Sequence, residues 1–263
     1  MLFRSFPAKY QKALFICDWT FGTMYAIHMA PHGSSYRATK EEFVSRTPLP
    51  LTDCTVGKDG ALYFTIGGRG AQSELFRVTY VGKEDVSPVD ATDRSRDPRV
   101  KLQPSDFRAI RHRIEKYHTG SWVPRGETDE IKQVINELGS EERQISTAAR
   151  VALERVFPVS TWSGEVFAAP DKISKADPRH AMNPMYRSIA INGCVALARQ
   201  SEPEYLPQIV ATLSKLDVSQ MSEFEQLGLL RAYQLAFIRL GNPDKETCAA
   251  LAKKFDEIGR AHV

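Results

Sequence analysis

Leu51-Thr52-Asp53-Cys54-Thr55-Val56, Gly57-Lys58-Asp59-Gly60 and Ala61-Leu62-Tyr63-Phe64-Thr65-Ile66 form the stretch on which the fold reading turns. Two short runs rich in β-branched and aromatic residues flank a Lys-Asp-Gly turn, where glycine supplies the positive φ that such a hairpin needs. Leu75 to Tyr80 continues the pattern beyond the loop Gly67-Gly68-Arg69-Gly70-Ala71-Gln72-Ser73. Upstream, Ala13 to Asp18, Met24 to Met29 and Ser35 to Val44 read as three more strands, with turns at Thr20–Thr23 and Pro31–Gly33.

The two strand groups look like an internal repeat. Ala13-Leu14-Phe15 aligns with Ala61-Leu62-Tyr63, and Tyr25-Ala26-Ile27 aligns with Phe76-Arg77-Val78. A period of about 40–50 residues in short strands points to propeller blades. Closed propellers take about 4–8 blades, so residues 6–82 are expected to supply only the last one or two of them.

Lys83 to Pro104 changes character, with Asp85, Asp90, Asp93, Arg94, Arg96, Asp97 and Arg99 among prolines 88, 98 and 104. It reads as a linker, because its aspartates lack the glycine and terminal glutamate of an EF-hand calcium loop. From residue 105 to 256 the pattern is helical. Ser105-Asp106 can cap a helix that places Phe107, Ile110, Ile114 and Tyr117 on one face. Further helices are expected near 127–138, 141–156, 184–200, 203–216, 220–240 and 243–256, with prolines 158, 170, 178, 203 and 243 at boundaries. The longest carries Leu227, Leu230, Arg231, Gln234 and Ile238 and stops at Gly241-Asn242-Pro243. Short connections between amphipathic helices suggest a HEAT-like α-helical solenoid. The expected fold class is therefore multidomain β plus α: C-terminal blades of a β-propeller followed by a HEAT-like domain.

The two termini read differently. Glu257-Ile258-Gly259-Arg260-Ala261-His262-Val263 back-translates as GAG ATC GGA AGA GCA CAC GTC, a short-read sequencing adapter. Met1-Leu2-Phe3-Arg4-Ser5 fits GTG CTC TTC CGA TCT, its reverse complement. Residues 1–5 and 257–263 are accordingly set apart from fold reasoning, as tags and scars are, and the native segment is expected to be Phe6 to Asp256 of a longer chain. His262 is not argued as a ligand.

The 35 basic and 32 acidic side chains leave a formal charge of +3, which gives no reason to expect nucleic acid or an anionic membrane as partner. No apolar run approaches the roughly 20 residues of a membrane span. Cys17, Cys54, Cys194 and Cys248 are scattered, without the Cys-x-x-Cys spacing of a zinc or thioredoxin-like site. Cys17 and Cys54 fall in strands that can approach each other.

Asp53 at the start of a strand and Arg69 at a loop tip are the candidate ligand-binding residues, as side chains able to face a propeller channel. Asp18 is expected to cap the next turn, and Trp19 to pack between strand units. Gly67-Gly68-Arg69-Gly70 lacks the helix and the lysine–hydroxyl pair of a P-loop. His28 and His32 flank a turn. His112 and His118 lie on different faces of one helix, which argues against joint metal ligation. Arg108, Arg111, Arg113 and Lys116 make a solvated face first and an interaction patch second. No catalytic constellation and no metal site is recognisable by spacing.

The run Thr47 to Arg69, continued by Leu75 to Gly82, resembles the last blade of planctomycete-type haem-binding proteins, whose propellers are similar to those of sorbosone and quinone-dependent sugar dehydrogenases. Ile110 to His118, Ala148 to Glu154 and Leu229 to Gly241 fit the helical part of the same family. The resemblance implies an exported, periplasmic or extracellular parent that oxidises a sugar or related alcohol and passes electrons to a c-type haem, with a quinone or calcium as further cofactor. This chain lacks the Cys-x-x-Cys-His of haem attachment, so it is expected to bind no cofactor and to have no redox activity of its own. The alternative is a non-catalytic scaffold, with carbohydrate as one partner class and protein, bound through the helical repeats, as the other.

Overall fold

The computed structural model describes residues 5–89, 106–119, 128–174, 180 and 182–261. Most of the expected linker, including Asp90, Asp93, Arg94, Arg96, Asp97 and Arg99, lies outside them, as do Met1 to Arg4 and His262. The chain forms two compact units, Met1–Lys101 and Leu102–Val263.

The first unit opens with a short helix, α1 (Ala8–Gln11), followed by β1 (Leu14–Asp18), β2 (Thr23–His32), β3 (Ser35–Ser45), β4 (Leu51–Val56), β5 (Leu62–Gly68) and β6 (Ala71–Val78). These strands make two antiparallel three-stranded sheets, ordered β1-β2-β3 and β4-β5-β6. Alternation decides what is buried: in β1, Leu14 and Ile16 face outward while Phe15 and Cys17 turn toward the core. That core gathers Met24, Leu49, Leu51, Leu62, Phe64 and Ile66 around Phe6, and each such side chain contributes about 1.5–3 kcal/mol on burial. Gln11 joins the start of the unit to its end. Its amide nitrogen donates to the Phe6 and Ser87 carbonyls at 2.9 and 3.0 Å, and its carbonyl accepts from the Val89 amide at 3.0 Å.

The propeller expectation is overturned. Each sheet has three strands where a blade has four, and no closed barrel or propeller forms among the described residues. The apparent repeat also fails in register. It matches β1 with β5 and β2 with β6, so a first strand is equated with a middle one. Burial shows the mismatch: Leu14 is 49% exposed and its supposed equivalent Leu62 only 1%. Meanders of short strands share this periodicity whether or not the sheets go on to close into a ring.

The second unit contains α2 (Phe107–Glu115), α3 (Thr128–Glu137), α4 (Arg143–Arg155), α5 (Ser163–Ala168), α6 (Asn183–Gln200), α7 (Leu206–Ser214), α8 (Glu223–Leu240) and α9 (Lys245–Ala261). Asp106 caps α2, its carboxylate accepting from the Ala109 amide. Gly241, at φ 116°, ends α8. The short α5 is an element that the periodicity does not announce. Helix α6 is apolar on almost every side and packs against α3, α4, α5, α7 and α8, as a central helix does. Within this unit α6 packs chiefly between α4 and α8, and the two small antiparallel sheets together with these helices make the molecule a small α+β fold rather than propeller blades.

Candidate functional site

Three helices of the second unit carry matched stripes. On α4, Arg143, Thr147 and Arg150 recur at helical spacing, on α6 Ser188, Asn192, Val195 and Arg199, and on α8 Phe224, Gly228, Arg231 and Leu235. The stripes line a groove of about 680 Å³. Small side chains in its middle, Ser188 and Gly228, keep it open. A Cβ on Gly228 would lie 3.1 Å from Ile191 Cγ2.

Five arginines line this groove against two glutamates, Glu141 and Glu225. Glu225 is already committed. One of its carboxylate oxygens accepts from Arg187 Nε at 2.8 Å, with both side chains about nine-tenths buried. The other accepts from the Ser222 amide at 2.8 Å, completing the capping box of α8. Beyond the lining, Glu154 is shared, taking Arg150 at 3.3 Å and Arg199 at 3.4 Å. Burial lowers the pKa of Arg150; Glu154 opposes this, while the charges of Arg199 and Arg231 reinforce it. The guanidinium remains cationic, so Arg150 and Arg199 share one carboxylate while the charge of Arg231 also acts on Arg150. Among the described residues Arg231 bonds only the neutral Gln234 carbonyl, at 2.8 Å. Phe224 stands at the rim, 66% exposed. Such a surface attracts anions and offers one large apolar contact.

The candidate ligand-binding residues and the histidines singled out in the sequence lie in the first unit, on α2 or on the turn Lys116–Thr119 that follows it. Asp53 is exposed on β4, its carboxylate accepting from the adjacent Cys54 amide at 2.7 Å. Its register partner is Thr65, whereas Arg69 follows the end of β5, and the structure does not bring the two together. Asp18 accepts from the amides of Thr20 and Phe21, both at 3.0 Å, as a turn cap. Trp19 donates its indole N–H to the Gly67 carbonyl at 3.1 Å, and Arg69 stacks over its ring. His28 Nε2 lies 2.8 Å from Glu41. His112 pairs with Glu115, while His118 meets the Ala148 carbonyl, and the described residues hold no group of three or more His, Cys, Asp or Glu able to grip a metal. Cys17 and Cys54 face one core, and burial, reinforced by Cys54, pushes the Cys17 thiol up to about 12.

Helical periodicity points to the buried face of each helix and so does not reach the groove residues. The usable signal is the polar face, where Arg143 and Arg150 lie two turns apart on α4 and Arg199 and Arg231 mark α6 and α8. No helix among the described residues is long and apolar enough to cross a membrane. No family model, curated protein or solved structure matches this chain.

Proposed function

We propose that the helical unit is a protein-binding module whose α4–α6–α8 groove takes an acidic segment of its partner. The reading rests on one observation: Arg150, Arg199 and Arg231 line one open groove, where the first two share the single carboxylate of Glu154 and the third bonds the neutral Gln234 carbonyl. Guanidinium groups suit this role because their planar forks grip carboxylates bidentately. Phe224 at the rim supplies the apolar anchor that such interfaces use. The haem-linked oxidation expected of a longer parent rests on family resemblance alone, whereas the binding role draws on this charge arrangement.

The test is fluorescence anisotropy with a labelled peptide alternating Glu and Leu, and its Lys–Leu counterpart as control. The Glu peptide is expected to bind and to weaken as salt rises, since charges more than about 10 Å apart are screened at 0.1 M. The double variant Arg199→Glu, Arg231→Glu is expected to lose binding while its circular dichroism stays native. Equal affinity of variant and wild type, or preference for the Lys peptide, would overturn the reading.

A further inference from the structure

The turns of the first unit line an open pocket of about 480 Å³, bordered by Trp19, Phe21, Arg46, Thr47 and Arg69 among others and by no acidic residue. Two features of it are unusual. Arg69 adopts φ 49° in a turn whose neighbours Gly67, Gly68 and Gly70 all have positive φ. A non-glycine residue in the left-handed region is uncommon, and glycine is what the backbone favours there. Keeping arginine at that position points to a use for its side chain.

The second feature is that both guanidinium groups lie over aromatic rings. Trp19 is fixed by its bond to the Gly67 carbonyl, and the Arg69 guanidinium lies 5.0 Å from the centre of its ring. Arg46 lies 5.4 Å over the Phe76 ring and donates from Nε to the Pro48 carbonyl at 3.2 Å. Stacking occupies the face of a guanidinium and leaves its N–H edge free to donate in plane. Neither arginine has a carboxylate within ion-pair distance among the described residues. Phe21, 75% exposed, stands beside them as a bare ring at the pocket wall.

We infer that this pocket binds a small carboxylate carried on a ring. Arg46 and Arg69 take the carboxylate through charge-assisted hydrogen bonds, and the body of the ligand lies against Phe21. A ring acid of this kind is either a sugar acid, whose C–H groups pack on the aromatic face and whose hydroxyls meet Thr47, or an aromatic acid, which stacks. The site is separate from the helical groove and does not rest on the binding role proposed for it.

The experiment is an NMR titration of the full-length chain with glucuronate and with benzoate, following the Trp19 indole resonance and using the two methyl esters as uncharged controls. At least one acid is expected to give a saturable shift that its ester does not, and the acid that binds identifies the ligand body. Arg69→Gly is the informative variant, because it removes the guanidinium while giving the backbone the residue its φ favours. Its melting temperature is expected to hold or rise. Its affinity is expected to fall about tenfold or more, the scale of a lost hydrogen bond to a charged group. Arg46→Gln is expected to weaken binding similarly. No saturable shift with either acid, equal binding of the esters, or wild-type affinity in Arg69→Gly would each overturn the inference.

Discussion

Glu41 on β3 accepts from the Tyr10 hydroxyl at 2.7 Å, faces His28 Nε2 at 2.8 Å and takes Lys9 Nζ at 3.1 Å. Those hydrogen bonds, that of Tyr10 foremost, hold its carboxyl at about 2. A carboxyl depressed in the folded state stabilises fully above its unfolded value, about 4.3, and loses that contribution as pH falls through the folded one. The melting temperature of wild type is therefore expected to drop between pH 5 and pH 2 more steeply than that of Glu41→Gln, as scanning calorimetry at several pH values can show. Identical slopes would mean the cluster is too solvent-screened to matter. Gln11 argues the opposite case, a buried neutral group. Gln11→Ala strips partners from the Phe6 and Ser87 carbonyls and the Val89 amide, and a loss of about 1–3 kcal/mol in urea unfolding is expected. Faster hydrogen exchange at Val89 would locate the effect. Neither cluster was legible in the sequence, because both join residues more than ten positions apart that no periodicity links.

On the scale of elements, the strands and helices themselves were readable. The Lys58-Asp59-Gly60 turn, the Asp106 cap and the Gly241 stop each have a local cause, and each stands where the residues placed it. What was not readable is which helix lies at the centre. Helix α6 earns that position partly through Gly193, where a Cβ would lie 2.5 Å from Val166 Cγ2 on α5. Two effects compete in Gly193→Ala. Helix propensity favours alanine by about 1 kcal/mol, whereas overpacking costs about 1–3 kcal/mol. At 2.5 Å from a branched, fully buried side chain the clash wins, so a net loss of stability is expected by chemical denaturation. A gain would mean that α5 yields easily. Glu225→Ala is expected to cost more, about 3–5 kcal/mol, because it strands the buried Arg187 charge and opens the α8 capping box at the same time. Glu225→Gln keeps one acceptor oxygen, enough for Arg187 or the Ser222 amide but not for both, and is expected to lose less than Glu225→Ala.

On the scale of the whole molecule, the sequence misled where closure had to be judged. Antiparallel meanders look alike locally whether they end as isolated sheets or as blades. Tertiary packing therefore decides that point, and with it the site: the groove exists because α4, α6 and α8 lie side by side, an adjacency with no local signature. The same packing sets a last expectation. Seven fully buried apolar residues form the core of the first unit, whereas the second gathers the large buried side chains Trp162, Tyr233 and Phe157 in a far more extensive one. Stability scales with the apolar area withdrawn from water, so the helical unit should outlast the sheets. Calorimetry of the full chain is expected to show two transitions, the earlier one assigned to the sheets by near-ultraviolet dichroism of Trp19 in a Trp122→Phe, Trp162→Phe background. Gly193→Ala should then lower only the later transition, and Gln11→Ala only the earlier. A single transition with equal calorimetric and van't Hoff enthalpies, lowered by either substitution, would show instead that the two cores melt as one.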